Sequence, residues 1–224
     1  MPNFDLKQRY NRNEFDNFIR AFLPDDYTRK ETKVTPIGFQ PQYANDITLI
    51  GVCKSLNLDV YEIRHSSVAD ARVGIANDTF KLLQHNSLNN NALVAFIPNE
   101  GDGQWRFSLL QIELDAVEQS SRIKRSYSNP RRYSYVLGPD SHVRTPEKSL
   151  IDMGKIRERR DGNKTLSPFE DLQSRFSVEV LSKEFYDNLF NWYLWATQHP
   201  SVSFPDKEDA DAGKDKSVKV IRLI

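Results

Sequence analysis

Three residues in the first third of the chain have types and spacing suited to chemistry. Asp46 opens a β-branched segment, Ile47–Cys53, Asn57 offers a turn, and Leu58–His65 reads as the returning strand of a hairpin. Side chains alternate along a strand, so Glu62 and Arg64 share one face while Asp59 and His65 share the other. Carboxylates on neighbouring strands are hard oxygen ligands of the kind Mg²⁺ takes. A cation held there polarises a phosphoryl oxygen and lowers the pKa of a bound water. An adjacent guanidinium stabilises developing negative charge. Residue 64 is Arg, always protonated and unable to act as a base, so its part is electrostatic. The same residues also fit a plain Glu62–Arg64 ion pair on a solvated sheet face, and both readings stand at this point.

Other chemistry is thinner. The four histidines lie at 65, 85, 142 and 199 with no ligand spacing for zinc. The single cysteine, Cys53, reads as a small core residue on a strand and excludes an internal disulfide. Asp70 and Asp78 are expected to face solvent from a second helix. Lys81 and Gln84 on that helix are better placed to support the hairpin. Arg122, Lys124, Arg125, Arg131 and Arg132 gather around Tyr127 and Tyr133, a cluster able to neutralise phosphates. Lys155, Arg157, Arg159 and Arg160 form a second group diluted by Glu158 and Asp161.

The elements that must position these residues follow from periodicity. Phe15, Phe18, Ile19 and Phe22 give an amphipathic first helix, capped by Asn11 and Glu14 and stopped at Pro24. Residues 25–45 read as connecting chain with Pro36, Gly38 and Pro41 as turn-formers. After the hairpin, Val73, Ala76, Phe80 and Leu83 line a helix. Strands are expected at Ala92–Ile97, Trp105–Ile112 and Tyr133–Leu137, the first two joined by the Asn99–Gly103 turn. Helix starts fall at Thr145-Pro146-Glu147 and at Ser167-Pro168-Phe169-Glu170, the latter with capping-box spacing. Ser182 is expected to cap a last helix ending near His199. Its aromatic residues, Phe185, Tyr186, Phe190, Trp192, Tyr193 and Trp195, surround it and suit an interface to a partner domain. The fold class is α/β (α+β), a mixed sheet flanked by helices.

The 224 residues carry 31 Lys+Arg and 31 Asp+Glu, so wholesale electrostatic binding to nucleic acid is not indicated and any contact must be local. Met1-Pro2-Asn3-Phe4-Asp5 is not a secretory start, and no apolar stretch approaches the ~20 residues that span a bilayer. A cytoplasmic protein without membrane contact is expected.

The hairpin, an acidic residue two before a cation with a further Asp on the adjoining strand, resembles the D…(D/E)xK core of restriction-type nucleases. It differs in carrying Arg64 for the Lys and in lacking a Pro before Asp46. The segment FSVEVLSKEFYDNLFNWYLWA, with Leu58–His65, Trp105–Leu109, Tyr127–Tyr135 and Leu137-Gly138, is similar to N-terminal regions of type IIG restriction-modification enzymes over roughly Leu49 to His199. The resemblance implies a restriction-endonuclease-like domain over residues 1–165, a helical connector over 166–200, and a charged linker with the start of a truncated next domain over 201–224. It implies a type II site-specific deoxyribonuclease that cleaves double-stranded DNA. Asp46 and Glu62 would hold Mg²⁺, Arg64 would lie near the phosphate, and Lys124, Arg125, Arg131 and Arg132 would contact DNA. S-adenosylmethionine would serve only a C-terminal adenine methyltransferase, which with a target-recognition domain would follow this chain. Asn129-Pro130-Arg131-Arg132 is not the Asn-Pro-Pro-Tyr motif of such methyltransferases, and no glycine-rich cofactor loop is present. Two alternatives remain open: a non-catalytic scaffold or DNA-docking domain of the same kind of protein, and the N-terminal region of a type I restriction enzyme R subunit.

Overall fold

The computed structural model describes residues 4–66, 74–117 and 124–199, the side chains of 113–117, 124–129 and 178–184 excepted. The chain divides into two units, Met1–Ser177 and Val178–Ile224. The first is a six-stranded mixed sheet with helices on both faces. Helix α1 (Arg12–Phe22) starts where the Asn11 side chain accepts from the Asn13 and Glu14 amides, at 2.9 and 3.3 Å. It ends at Leu23, extended as a residue before proline must be. Strands β1 (Tyr27–Lys33), β2 (Ala44–Cys53) and β3 (Leu58–His65) form an antiparallel meander. Helix α2 (Gly74–Asn86) then crosses over so that β4 (Asn91–Pro98) runs parallel to β3. Strands β5 (Trp105–Val117) and β6 (Lys124–Leu137) complete the sheet antiparallel, in the order β1-β2-β3-β4-β5-β6.

The alternation of apolar residues decides the layers. Val60, Leu93, Ala95, Phe107 and Leu109 meet Phe15, Phe18, Ile19 and Phe22 of α1 on one face. Tyr61, Ile63, Val94, Phe96 and Leu110 meet Ile75, Phe80 and Leu83 of α2 on the other. The first face is aromatic: Phe15 stands edge-on to Trp105 at 5.8 Å and to Phe107 at 5.5 Å. Cys53 is buried there as expected, its thiol pushed up to about 11, chiefly by burial.

After β6 comes a single turn α3 (Arg144–Pro146) running into a π-helical turn, Glu147–Asp152, then a small hairpin of β7 (Arg159–Asp161) and β8 (Lys164–Leu166). Helix α4 (Pro168–Phe176) carries the full capping box between Ser167 and Glu170. Its Leu172 and Phe176 join the α1-side core, so α4, expected to open the connector, belongs to the first unit. The second unit holds helix α5 (Val178–Gln198), with Phe185, Tyr186, Phe190, Trp192 and Trp195 exposed. Ser182 lies inside α5 instead of capping it. The expected linker at 201–224 lies outside the described residues, as do Val73, Asp70 and Arg122.

Three strands were not expected: β1 of the main sheet and the short pair β7–β8. Tyr27–Lys33 has no apolar alternation and all but its first residue are exposed. It is a charged edge strand held by its ladder to β2 and by ion pairs, a pattern that protects a sheet edge from further pairing. Periodicity reports burial, so it is silent here.

A buried ion-pair cluster ties α4 to β7 and to the loop that precedes it. Asp171 is fully buried and bonds Arg175 Nη2 at 2.6 Å, with Arg159 Nε also on its carboxylate. Arg175, 2% exposed, donates to the Gly154 and Lys155 carbonyls at 2.5 and 3.1 Å. Arg159 is thereby a structural partner, and Lys155 pairs with Asp25, so two of the four residues of the second basic group are committed within the fold. Asp171→Asn is expected to cost about 3–5 kcal/mol, because it strands buried Arg175 without a counter-charge. Urea unfolding measures this; a loss under ~1 kcal/mol, the size of an exposed pair, contradicts it.

Candidate functional site

The hairpin register places the three candidate residues on one face. Asp46 is the direct cross-strand partner of Arg64, and Thr48 is the partner of Glu62. Asp46 and Glu62 are thus diagonal neighbours on the α1 side, a spacing that long side chains bridge. A β-bulge at Asn45 lies immediately before Asp46, and bulges re-aim side chains beside functional sites. Asp59 and His65 point to the α2 side, as alternation requires.

Environment differs sharply among the three. Asp46 has a half-exposed carboxylate, 41%, paired with Lys33 of β1. Glu62 has a side chain only 7% exposed. Its Oε2 accepts from the Tyr10 hydroxyl at 2.8 Å and meets Arg12 Nε at 3.2 Å, while Oε1 lies 3.6 Å from Arg64 Nε. Burial, with Glu62 beside it, pushes the Tyr10 hydroxyl far above its ordinary range, so it remains a donor to that carboxylate. Arg64 keeps nearly half of its side chain in solvent. The expected Glu62–Arg64 pair therefore exists, but Glu62 is buried beneath the N-terminal segment and not on a solvated face.

Sequence reading missed Tyr10, Arg12 and Glu31. Glu31 sits at φ 75°, a left-handed conformation that costs a non-glycine residue about 1–3 kcal/mol. It occupies the bulge between Arg29 and Thr32 and receives Arg12 at 3.4 Å and Arg29 at 3.0 Å. Arg12 thus bridges Glu62 and Glu31 across three elements. No spacing rule links residues 10, 12, 31 and 62; only the sheet order brings them together.

Mg²⁺ binds through one or two carboxylates and completes its shell with water and phosphate oxygens, and Asp46 with Glu62 matches that donor set. Among the described residues no three His, Cys, Asp or Glu side chains converge on a metal position. The described residues therefore form no all-protein metal cage at the hairpin.

Other expected contributors fall elsewhere. Asp78 does not face solvent: it is 3% exposed and accepts from the Gln42, Tyr43 and Ala44 amides at 2.8–3.1 Å. It fixes the chain that enters the Asn45 bulge and so helps place Asp46. Lys81 lies over the Phe39 ring at 6.0 Å on the α2 side, and Gln84 is on that same helix. Glu62 points to the opposite face, so neither residue is brought to it. Arg131 pairs with Gln111, in the row of Asn91 and Leu58 at the far end of the sheet. By strand rise and spacing that is roughly 25 Å from Arg64. Arg132, next along β6, faces the other way, so the two do not form one patch with the hairpin. Lys124 and Arg125 belong to β6, but their side chains lie outside the described ones. His65 is buried on the α2 side, held below its ordinary pKa by burial and by Arg106.

No protein-family model matches the chain, and no curated protein or solved structure matches it. Among the described residues no helix is long and apolar enough to cross a membrane.

Asp78→Asn replaces an acceptor facing three amides with a group that also donates, and is expected to cost about 1–3 kcal/mol. Hydrogen exchange should accelerate at Gln42–Ala44 before it does in β4; unchanged protection there contradicts this role for Asp78.

Proposed function

We propose that the Asp46–Glu62–Arg64 face is the centre of a Mg²⁺-dependent phosphodiesterase acting on DNA. The observation that carries this reading is the register: two carboxylates and a guanidinium share one face towards the open end of the β2–β3 hairpin. The D…(D/E)xK resemblance and the overall restriction-endonuclease-like reading agree with that placement. Asp46 and Glu62 would hold the cation, which would supply Lewis acidity at the scissile phosphate. Arg64, half in solvent and permanently charged, orients and neutralises that phosphate. Arg64 cannot accept a proton, which leaves the carboxylates as the acceptors among the three. Tyr10 and Arg12 orient Glu62 from behind.

A specific observation also favours a second reading, a non-catalytic DNA-docking domain. Both carboxylates already hold cations, Asp46 with Lys33 and Glu62 with Arg12 and Arg64. In that case the face is an ion-pair network that stabilises the hairpin. Place in a restriction-modification protein, with a methyltransferase and target-recognition domain beyond this chain, belongs equally to both readings.

Calorimetric titration with Mn²⁺, with and without a duplex, separates them. Saturable binding that tightens with DNA and disappears in Glu62→Ala is expected for the hydrolytic site, a melting curve confirming that the variant is folded. Equal heats in wild type and variant sink it in favour of docking.

A further inference from the structure

A cavity of about 250 Å³ opens beside the hairpin face, lined by Arg9, Tyr10, Arg64 and the Ile97–Gly101 and Gly103–Gln104 stretches of the β4–β5 connection. It is smaller than the ≈300–1,000 Å³ of sites that enclose whole small molecules, a size for one charged group with its water. Two guanidinia line it against one carboxylate, Glu100. Arg64 leans toward Glu62, but among the described residues no carboxylate pairs with Arg9.

Arg9 is held where it is by backbone. The N-terminal segment is pinned on either side of it: Leu6 accepts from the Gly138 amide at 2.8 Å, and the Gln8 carbonyl from the Trp105 indole at 3.4 Å. The Arg9 stem lies against Gly103, where a Cβ would meet Arg9 Cγ and Nε at 2.7 and 2.8 Å. Gly103 also has φ +92°, a backbone conformation that favours glycine. The backbone that carries Arg9 is thus pinned at the rim of a small hollow lined by two guanidinia, groups whose forked donors recognise phosphate oxygens.

We propose that this cavity binds a backbone phosphate of the nucleic acid adjacent to the scissile one, with Arg9 as a positioning residue and Arg64 shared between the two phosphates. The inference rests on the hydrolytic reading of the hairpin for the word scissile, and on the cavity alone for the anion.

The test is binding of a short fluorescein-labelled duplex across a range of KCl, with Ca²⁺ in place of Mg²⁺, for wild type, Arg9→Ala and Arg9→Lys. Arg9 is exposed and its removal leaves the core untouched. Arg9→Ala is expected to weaken binding about tenfold and to reduce the slope of log affinity against log salt by about one. Arg9→Lys should restore the slope, because the charge returns, and part of the affinity. Unchanged affinity and slope in Arg9→Ala overturn the proposal, even where Mn²⁺ binding through Glu62 upholds the hydrolytic reading. Loss of duplex affinity in Arg9→Ala, in a protein that binds no Mn²⁺, upholds the anion cavity and fails the hydrolytic reading instead. Competition by inorganic phosphate with no Arg9 effect on the duplex identifies a free-phosphate site and also overturns the proposal.

Discussion

Burying the carboxylate of Glu62 in the middle of a sheet face constrains much of what surrounds it. A buried charge is tolerated only when donors surround it. Here those donors come from the N-terminal segment through Tyr10, from α1 through Arg12, and from β3 through Arg64. Each is delivered by a separate piece of the fold. The Asn11 cap starts α1 at Arg12, and the Leu6 and Gln8 carbonyls anchor the segment that carries Tyr10. The aromatic contacts of Phe15 and Phe18 with Trp105 and Phe107 set α1 against the sheet. Satisfying Glu62 and closing the α1 side of the core are therefore linked requirements.

The same arrangement leaves the neighbouring end of the hairpin open. Asp46 and Arg64 remain about half in solvent, one strand apart, with a bulge before one and an oriented carboxylate beside the other. Strain is concentrated nearby in Glu31, whose left-handed backbone lets one carboxylate answer both Arg12 and Arg29. Asp16 extends the network to Arg20 and Arg29 at 3.1 and 3.3 Å. Each exposed pair within this seam of alternating charges contributes little alone.

Much of the scaffold was legible because burial leaves a period in the sequence. The α1 stripe, the Leu58–His65 strand, the Asn57 turn at φ 49° and the Ser167 capping box appear where pattern and turn chemistry put them. β1 was not legible, since a charged edge strand has no apolar period, and Asp78 was misread because helical spacing does not reveal that three amides converge on it. The face shared by Glu62 and Arg64 could be derived from alternation alone. Tyr10, Arg12 and Arg9 could not, because they depend on where the N-terminal segment docks across the sheet. The Arg131–Arg132 cluster was visible in sequence, yet its distance from the hairpin depends on strand order, which no local rule supplies.

Duplex cleavage in Mg²⁺ by the wild type and by Asp46→Asn decides whether the Asp46–Glu62–Arg64 face hydrolyses DNA as proposed. Asp46 is exposed enough that its amide variant should keep the fold, so a lost activity reports on the site. Mg²⁺-dependent cleavage by the wild type that disappears in Asp46→Asn is the expected result. A wild type that leaves the duplex intact, or a variant that cuts as well as the wild type, contradicts it.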